Sequence, residues 1–202
     1  MLPADKPKRV HKPAEERVTE ILTAATHIFA SKGYQVADVQ AIAAAAGVGK
    51  GTVYRYFSTK EVLFTETLRF NLERLRCEVQ QARAHQGDAL EQLREGMRAY
   101  LLHFERNPDL VELFVQARAE FRHEARGLYF AYMYIDWDDW VAVFEHIGRQ
   151  HGLRDGALDE LMAASSDLLH GAVVLSQGPR RKPLSQRFDA LFDIYLHGII
   201  GP

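Results

Sequence analysis

Residues 42–60 read IAAAAGVGKGTVYRYFSTK. Ile42, Ala43 and Ala46 sit at helical spacing, Gly47 interrupts the run, and Val48 restores one apolar anchor before a second short segment begins near Lys50. In that segment Val53 and Phe57 share one face, and Lys50, Thr52, Tyr54, Arg55 and Tyr56 occupy the rest. A helix of this length packed wholly into a core would not carry two cations, a hydroxyl and two tyrosines. Two short helices joined by a glycine-marked turn, with the second presenting a polar face, form the pattern that enters the DNA major groove.

The chemistry of that face fits the pattern. Lys50 and Arg55 suit phosphates or guanine edges, where bidentate arginine pairing is the commonest specific contact. Thr52 and the hydroxyls of Tyr54 and Tyr56 suit phosphate oxygens, their rings covering sugar or a thymine methyl. Gly51 lets the backbone approach a partner closely. Lys60 follows Ser58-Thr59, a hydroxyl pair suited to cap the next helix, and stands at a helix start that attracts anions. The small core beneath is expected from Ile28, Val39, Ile42, Val48, Val53 and Phe57. Upstream, Val18, Ile21, Leu22, Ala25, Ile28 and Phe29 predict a helix over 14–31, with Gly33 as its stop and Asp38 as the cap of the next helix.

Charge supports a basic reading head on an acidic body. The whole chain is nearly balanced, with 25 Lys+Arg against 27 Asp+Glu. Residues 1–60 carry a net +4 and residues 61–202 a net −6, an asymmetry that separates a nucleic-acid-facing part from the rest. Residues 1–13, with Lys6, Lys8, Arg9 and Lys12 among three prolines, read as a flexible basic arm. No apolar run approaches the roughly 20 residues that span a bilayer, and the polar N-terminus lacks the apolar stretch of a secretory signal. A single cysteine, Cys77, excludes an internal disulfide framework and fits the cytoplasm, read as a quiet, partly buried thiol ahead of a redox sensor.

The remainder is helical in period throughout, so the expected class is all-α: a three-helix head over 14–60 and a six-helix body over 61–202. Phe64, Leu68, Leu72, Leu75 and Val79 make the seam of a long helix ending near His85. Asp88 restarts a helix carrying Leu93, Met97, Leu101 and Phe104, and Asn107-Pro108 begins another. Phe130, Tyr134, Trp137, Val141 and Phe144 predict one continuous aromatic helix. Two last helices are expected over about 157–176 and 184–199.

Within the body, Phe114, Phe121, Tyr134, Trp137, Trp140 and Phe144 are candidate walls of a pocket, which bundles hold between helices at ~300–1,000 Å³. Met133, Met162 and His170 would adapt to its contents, and Arg118 would meet an acidic group. Taken singly, each is better explained by plain core packing. Asp136, Asp138 and Asp139 are expected to face water and not a metal. No His, Cys or Ser arrangement has metal-ligand or nucleophile spacing, so no catalytic residue, cofactor or metal is assigned.

The string Gly33-Tyr34, Val39, Ile42-Ala43, Ala46-Gly47-Val48, Lys50-Gly51-Thr52-Val53-Tyr54, Tyr56-Phe57, Lys60-Glu61 and Leu63 resembles the N-terminal domain of the TetR family of bacterial transcriptional regulators. The resemblance covers about residues 15–65. It implies a homodimer, double-stranded operator DNA with two half-sites, and a small-molecule effector, here apolar or aromatic, that releases the DNA. It also implies that Lys50, Gly51, Thr52, Tyr54, Arg55, Tyr56, Lys60 and, in the second helix, Gln40 touch DNA. The wide apolar faces of the last two helices (Leu161, Leu168, Leu169, Ala172 and Val173, then Phe188, Leu191, Phe192 and Tyr195) are then the dimer interface. Two positions depart from the family pattern: Gly49 stands where a capping Ser or Thr is usual, and Ala37 where a phosphate-binding Thr is common. The expected function is a ligand-released repressor. An activator on the same fold and, remotely, an α-helical enzyme using the body pocket are the alternatives.

Overall fold

In the computed structural model, residues 13–120, 135–153, 158–178 and 182–200 are described, apart from the side chains of Arg118 and Gln177. These residues form nine α-helices: α1 Ala14–Lys32, α2 Val39–Ala45, α3 Lys50–Tyr56, α4 Lys60–Ala84, α5 Ala89–Arg106, α6 Asp109–Glu120, α7 Trp137–His151, α8 Leu158–Val174 and α9 Leu184–Ile199. A short 3-10 turn, Leu175–Gln177, follows α8. Among the described residues there is no strand; one isolated antiparallel bridge pairs Leu153 with Ile200. The chain is all-α, with a helix-turn-helix head and a helical body. It divides into two compact units, Met1–Thr67 and Leu68–Pro202.

The first unit is closed by aromatic packing around the start of α4. Phe29 and Phe64 are fully buried and meet edge to face at 5.0 Å between ring centroids. Tyr34 meets Phe64 at the same separation, tilted by 66°. Such pairs add about 0.5–1.5 kcal/mol beyond the area they bury. Ile21, Ile42, Ala43, Val53 and Leu63 complete this core. The expected core therefore changes: Ile28 and Val48 are only half-buried, and their places are taken by Phe29 and by Leu63 and Phe64 of α4. That is why the first unit extends through the opening turns of α4, past residue 60.

Local chemistry sets the helix ends. The Asp38 carboxylate accepts the Gln40 N–H at 2.9 Å and caps α2. Gly47 has φ +66°, the left-handed turn that separates α2 from α3. Thr59 Oγ1 accepts the Val62 N–H at 3.0 Å and caps α4. Gly49 is the N-cap of α3 and supplies no side-chain bond.

In the second unit α5 is the central helix, packing on α7, α8 and α9. Leu93, Met97, Leu101 and Phe104 bury its inner face. Asp88 caps its start, and Asn107 Nδ2 donates to the His103 carbonyl at 2.7 Å where it ends. The first turn of α9 has no cap of its own. Glu105 of α5 supplies one, accepting from Ser185 N and Ser185 Oγ, each at 2.7 Å.

Two expectations are corrected here. The aromatic stripe over 130–144 is not one continuous helix, because the chain turns at Ile135–Asp136 and α7 begins at Trp137; Phe130 and Tyr134 lie outside the described residues. In α8 and α9, Ala172, Val173, Phe188, Phe192 and Tyr195 are buried within the single chain. Phe188 and Phe192 stack on one another at 5.7 Å, with Arg94 of α5 beyond them at 5.9 and 5.8 Å. Phe188 and Phe192 pack beside Arg94 of α5, and burial within the protomer leaves all five little surface for a second chain. The apolar stripe is wide because its inner half serves the protomer. Leu161, Leu168 and Leu191 are half-buried, and the outward apolar side chains are Val174, Leu175 and Ile194.

Candidate nucleic-acid interface and cavity

Helix α3 divides cleanly. Val53 is fully buried and Phe57 nearly so, and this anchors the helix by its inner face. Lys50, Gly51, Tyr54 and Arg55 are exposed, as is Gln40 of α2, while Thr52 and Tyr56 are half-buried. A Cβ at Gly51 would meet nothing within 4 Å, so the backbone there is open to an incoming partner. The Arg55 guanidinium lies 5.2 Å from the Tyr56 ring centroid, which holds its planar fork beside the helix surface.

Lys60 is placed differently. Its Nζ donates to the Gln35 carbonyl at 3.1 Å and lies 5.0 Å from the Tyr34 ring centroid, tying the α1–α2 connection to the start of α4. A structural role thus accompanies the phosphate contact expected of it. Asp38, read from the sequence as a cap and a poor neighbour for phosphate, also stands 3.6 Å from Lys50 Nζ. The Gln40 N–H bond, and beyond it Lys50, hold the Asp38 carboxyl below the usual carboxylate range. The face expected to meet DNA therefore carries its own anion.

The second unit holds a cavity of about 200 Å³, smaller than the range expected. Trp137, Trp140, Phe144 and Met162 line it together with Leu72, Leu75, Val79, Leu93, Gly96, Met97, Tyr100, Ser165, Ser166 and Leu169. Leu169, assigned to the dimer face from the sequence, thus belongs to a cavity wall. Phe114 packs 5.8 Å from the Phe104 ring, and neither it nor His170 is a lining residue. Phe121, Met133 and Tyr134 lie outside the described residues, as does the side chain of Arg118.

One charged pair, Arg76 and Asp136, belongs to this wall. Asp136, expected to face water, accepts from Arg76 Nε at 2.9 Å and Nη2 at 2.8 Å and from Gln80 Nε2 at 2.8 Å. Arg76 Nη1 also reaches Glu73 at 3.2 Å. The Asp136 bond raises the Arg76 pKa further. The bidentate pair fixes α7 to α4 and leaves the cavity wall polar without a net charge. Trp140 is equally constrained: the Arg83 guanidinium lies 4.1 Å from its ring centroid, and a Cβ at Gly96 would stand 2.6 Å from its Cη2. A glycine inside the helical pattern of α5 was a sign of such close approach. The Arg76–Asp136 pair, 60 residues apart in sequence, left no comparable sign.

Cys77 is exposed, contrary to the expectation of partial burial. Desolvation, followed by the nearby Glu73 carboxylate, pushes its thiol up, against a reactive thiolate. Among the described residues no cluster of His, Cys, Asp and Glu is arranged to hold a metal. Nor is any described helix long and apolar enough to cross a membrane.

Residues 21–67 match the family model described as bacterial regulatory proteins, tetR family. Among curated relatives, the transcriptional activator FasR of Mycolicibacterium smegmatis is 34% identical over 88 residues, 44% of this chain and 40% of the relative. The transcriptional repressor KstR of the same organism is 31% identical over 102 residues, 50% of each chain. The chain thus spans about half the length, or less, of these relatives. A transcriptional regulator from Saccharomonospora viridis, solved in complex with choline, shares the fold with a TM-score of 0.78 at 23% identity, over 93% of this chain and all of that one.

Proposed function

We propose that this chain, whose residues 21–67 match the family model of tetR-type bacterial regulatory proteins, is a homodimeric, ligand-responsive DNA-binding repressor acting in the cytoplasm. The observation that carries this reading is the division of α3. Val53 and Phe57 anchor the helix, and Lys50, Gly51, Tyr54 and Arg55 face outward with Gln40 beside them. Two such helices, one from each protomer, enter successive major grooves about 34–36 Å apart. The second copy docks on the outward apolar side chains of α8, the following turn and α9, where Val174, Leu175 and Ile194 are exposed.

The effector site is the cavity lined by Trp137, Trp140, Tyr100 and Phe144. Its walls favour an apolar or aromatic body, and Ser165 and Ser166 offer hydroxyls to one polar group. Helix α4, which lines the cavity through Leu72, Leu75 and Val79, begins at Lys60 in the first unit. A ligand that shifts α4 changes the separation of the two reading helices. Coupling of about 1–3 kcal/mol weakens DNA binding roughly 5- to 150-fold. The chain works as a regulator and not as an enzyme. The activator FasR among its relatives favours a second reading, activation through the same contacts.

Footprinting on DNA upstream of the protein's own gene, with and without a panel of apolar and aromatic compounds, tests the proposal. A footprint with two-fold symmetry, erased by one of the compounds, is expected. A protein that protects no DNA at low salt contradicts it. Transcription from that promoter in a deletion strain separates repression, where the signal rises, from activation, where it falls.

A further inference from the structure

On the face expected to meet DNA, the side chain of Asp38 makes two different contacts. Its Oδ1 accepts the Gln40 N–H at 2.9 Å and also lies 3.6 Å from Lys50 Nζ. The first contact requires an acceptor but no charge, since Ser, Thr or Asn caps a helix as well as Asp does. The second requires the charge. Both partners of the pair are open to solvent, with side-chain exposures of 64% for Asp38 and 45% for Lys50. An ion pair so exposed contributes little to folding, so its effect falls on whatever next approaches Lys50. Lys60 is the other cation near this carboxylate, and its Nζ is already committed to the Gln35 carbonyl.

We propose that Asp38 is an internal counter-ion of the DNA-reading face, occupying Lys50 in the unbound protein and competing with DNA phosphate for it. The inference rests on the DNA-binding reading above and goes beyond it by naming the residue that limits affinity. A phosphate reaching Lys50 must displace or sit beside the carboxylate. Lys50 therefore releases less condensed counter-ion from DNA than a lysine without such a neighbour, because its charge is already met. Asp38 lowers binding to any duplex, and more so for unrelated DNA, where backbone charge supplies nearly all the affinity. The residue thereby favours sequence-dependent contacts over indiscriminate ones.

The experiment compares the wild type with Asp38→Ser and Asp38→Asn, both of which keep an acceptor for the Gln40 N–H. Binding to a labelled duplex from the protein's own upstream DNA and to an unrelated duplex of equal length is followed by anisotropy across a salt series. Both variants are expected to bind unrelated DNA about three- to tenfold more tightly at low salt, the effect of one exposed pair per protomer. The log–log salt dependence should steepen by about 0.9 for each Lys50 released to a phosphate. In a Lys50→Ala background the gain from Asp38→Ser should vanish, which distinguishes the pair from a change in net charge. Variants that fold as the wild type does but bind DNA no more tightly, with an unchanged salt slope, overturn the proposal and leave the DNA-binding reading intact. A gain that persists without Lys50 overturns it as well. Failure of every form, wild type included, to bind either duplex overturns both.

Discussion

Asp38 and His103 show how single side chains carry separable physical roles. Asp38 caps α2, so Asp38→Ala removes the acceptor and should lower the unfolding midpoint. Asp38→Ser should cost little, and urea unfolding followed by circular dichroism compares the two. His103 is buried on α5, its Nδ1 3.1 Å from Glu78 Oε1, yet neither ring nitrogen makes a directed hydrogen bond. Burial lowers its pKa from the ordinary 6.5, a shift that the Glu78 contact opposes. Because the folded value lies below the unfolded one, the unfolded chain takes up a proton first. The contribution of His103 to stability is therefore complete above about pH 6.5 and is lost as the pH falls below it. In His103→Leu that component of the pH dependence should be absent, seen as a smaller loss of unfolding midpoint than in the wild type on acidifying past pH 6.5. Equal losses in both proteins would contradict the assignment.

At the scale of elements, what the sequence could reveal depended on how far apart the interacting residues lie. The ends of α2, α3 and α4 were readable because Asp38, Gly47 and Thr59 act on backbone within a few positions. The outward face of α3 was readable because Val53 and Phe57 mark its inner one. The edge-to-face packing of Phe64 on Phe29 and Tyr34 joins residues some 30 to 35 positions apart, and the Arg76–Asp136 pair spans more. Periodicity carries no record of either. Apolar period also fails to say which side of a stripe the chain covers itself, so Phe188, Phe192 and Tyr195 were assigned outward although they pack inward. The contact of α5 with α7 gives a direct test. In Gly96→Ala the added methyl would stand 2.6 Å from Trp140 Cη2, and the ring, with Arg83 on its face, must shift. The variant should lose about 1–3 kcal/mol. Its tryptophan emission should change as well, since the chain has two tryptophans and both line the cavity. An unaltered emission spectrum and midpoint would show that the cavity wall yields freely.

Considered as a whole molecule, the proposed function joins a unit that reads DNA to a unit that senses a ligand, and the two halves were not equally visible in the sequence. The first unit rests on a motif whose capping, anchoring and outward residues lie close together in the sequence. The sensing unit rests on side chains such as Trp137, Phe144 and Met162, for which core packing and ligand contact look alike until neighbours are placed around them. The dimer belongs to this scale. Ile194 is 68% exposed, and Ile194→Asp should leave the protomer folded while shifting sedimentation from dimer to monomer and weakening DNA binding with it; a dimer that persists unchanged would move the interface elsewhere. The central claim, that the outer face of α3 reads DNA, is tested most directly by Tyr54→Ala, because Tyr54 is 41% exposed and its loss spares the core. Anisotropy titration of the upstream duplex should show binding weakened by about 1–3 kcal/mol, roughly 5- to 150-fold, with helicity and dimerisation unchanged. Wild-type affinity in that variant would contradict the account.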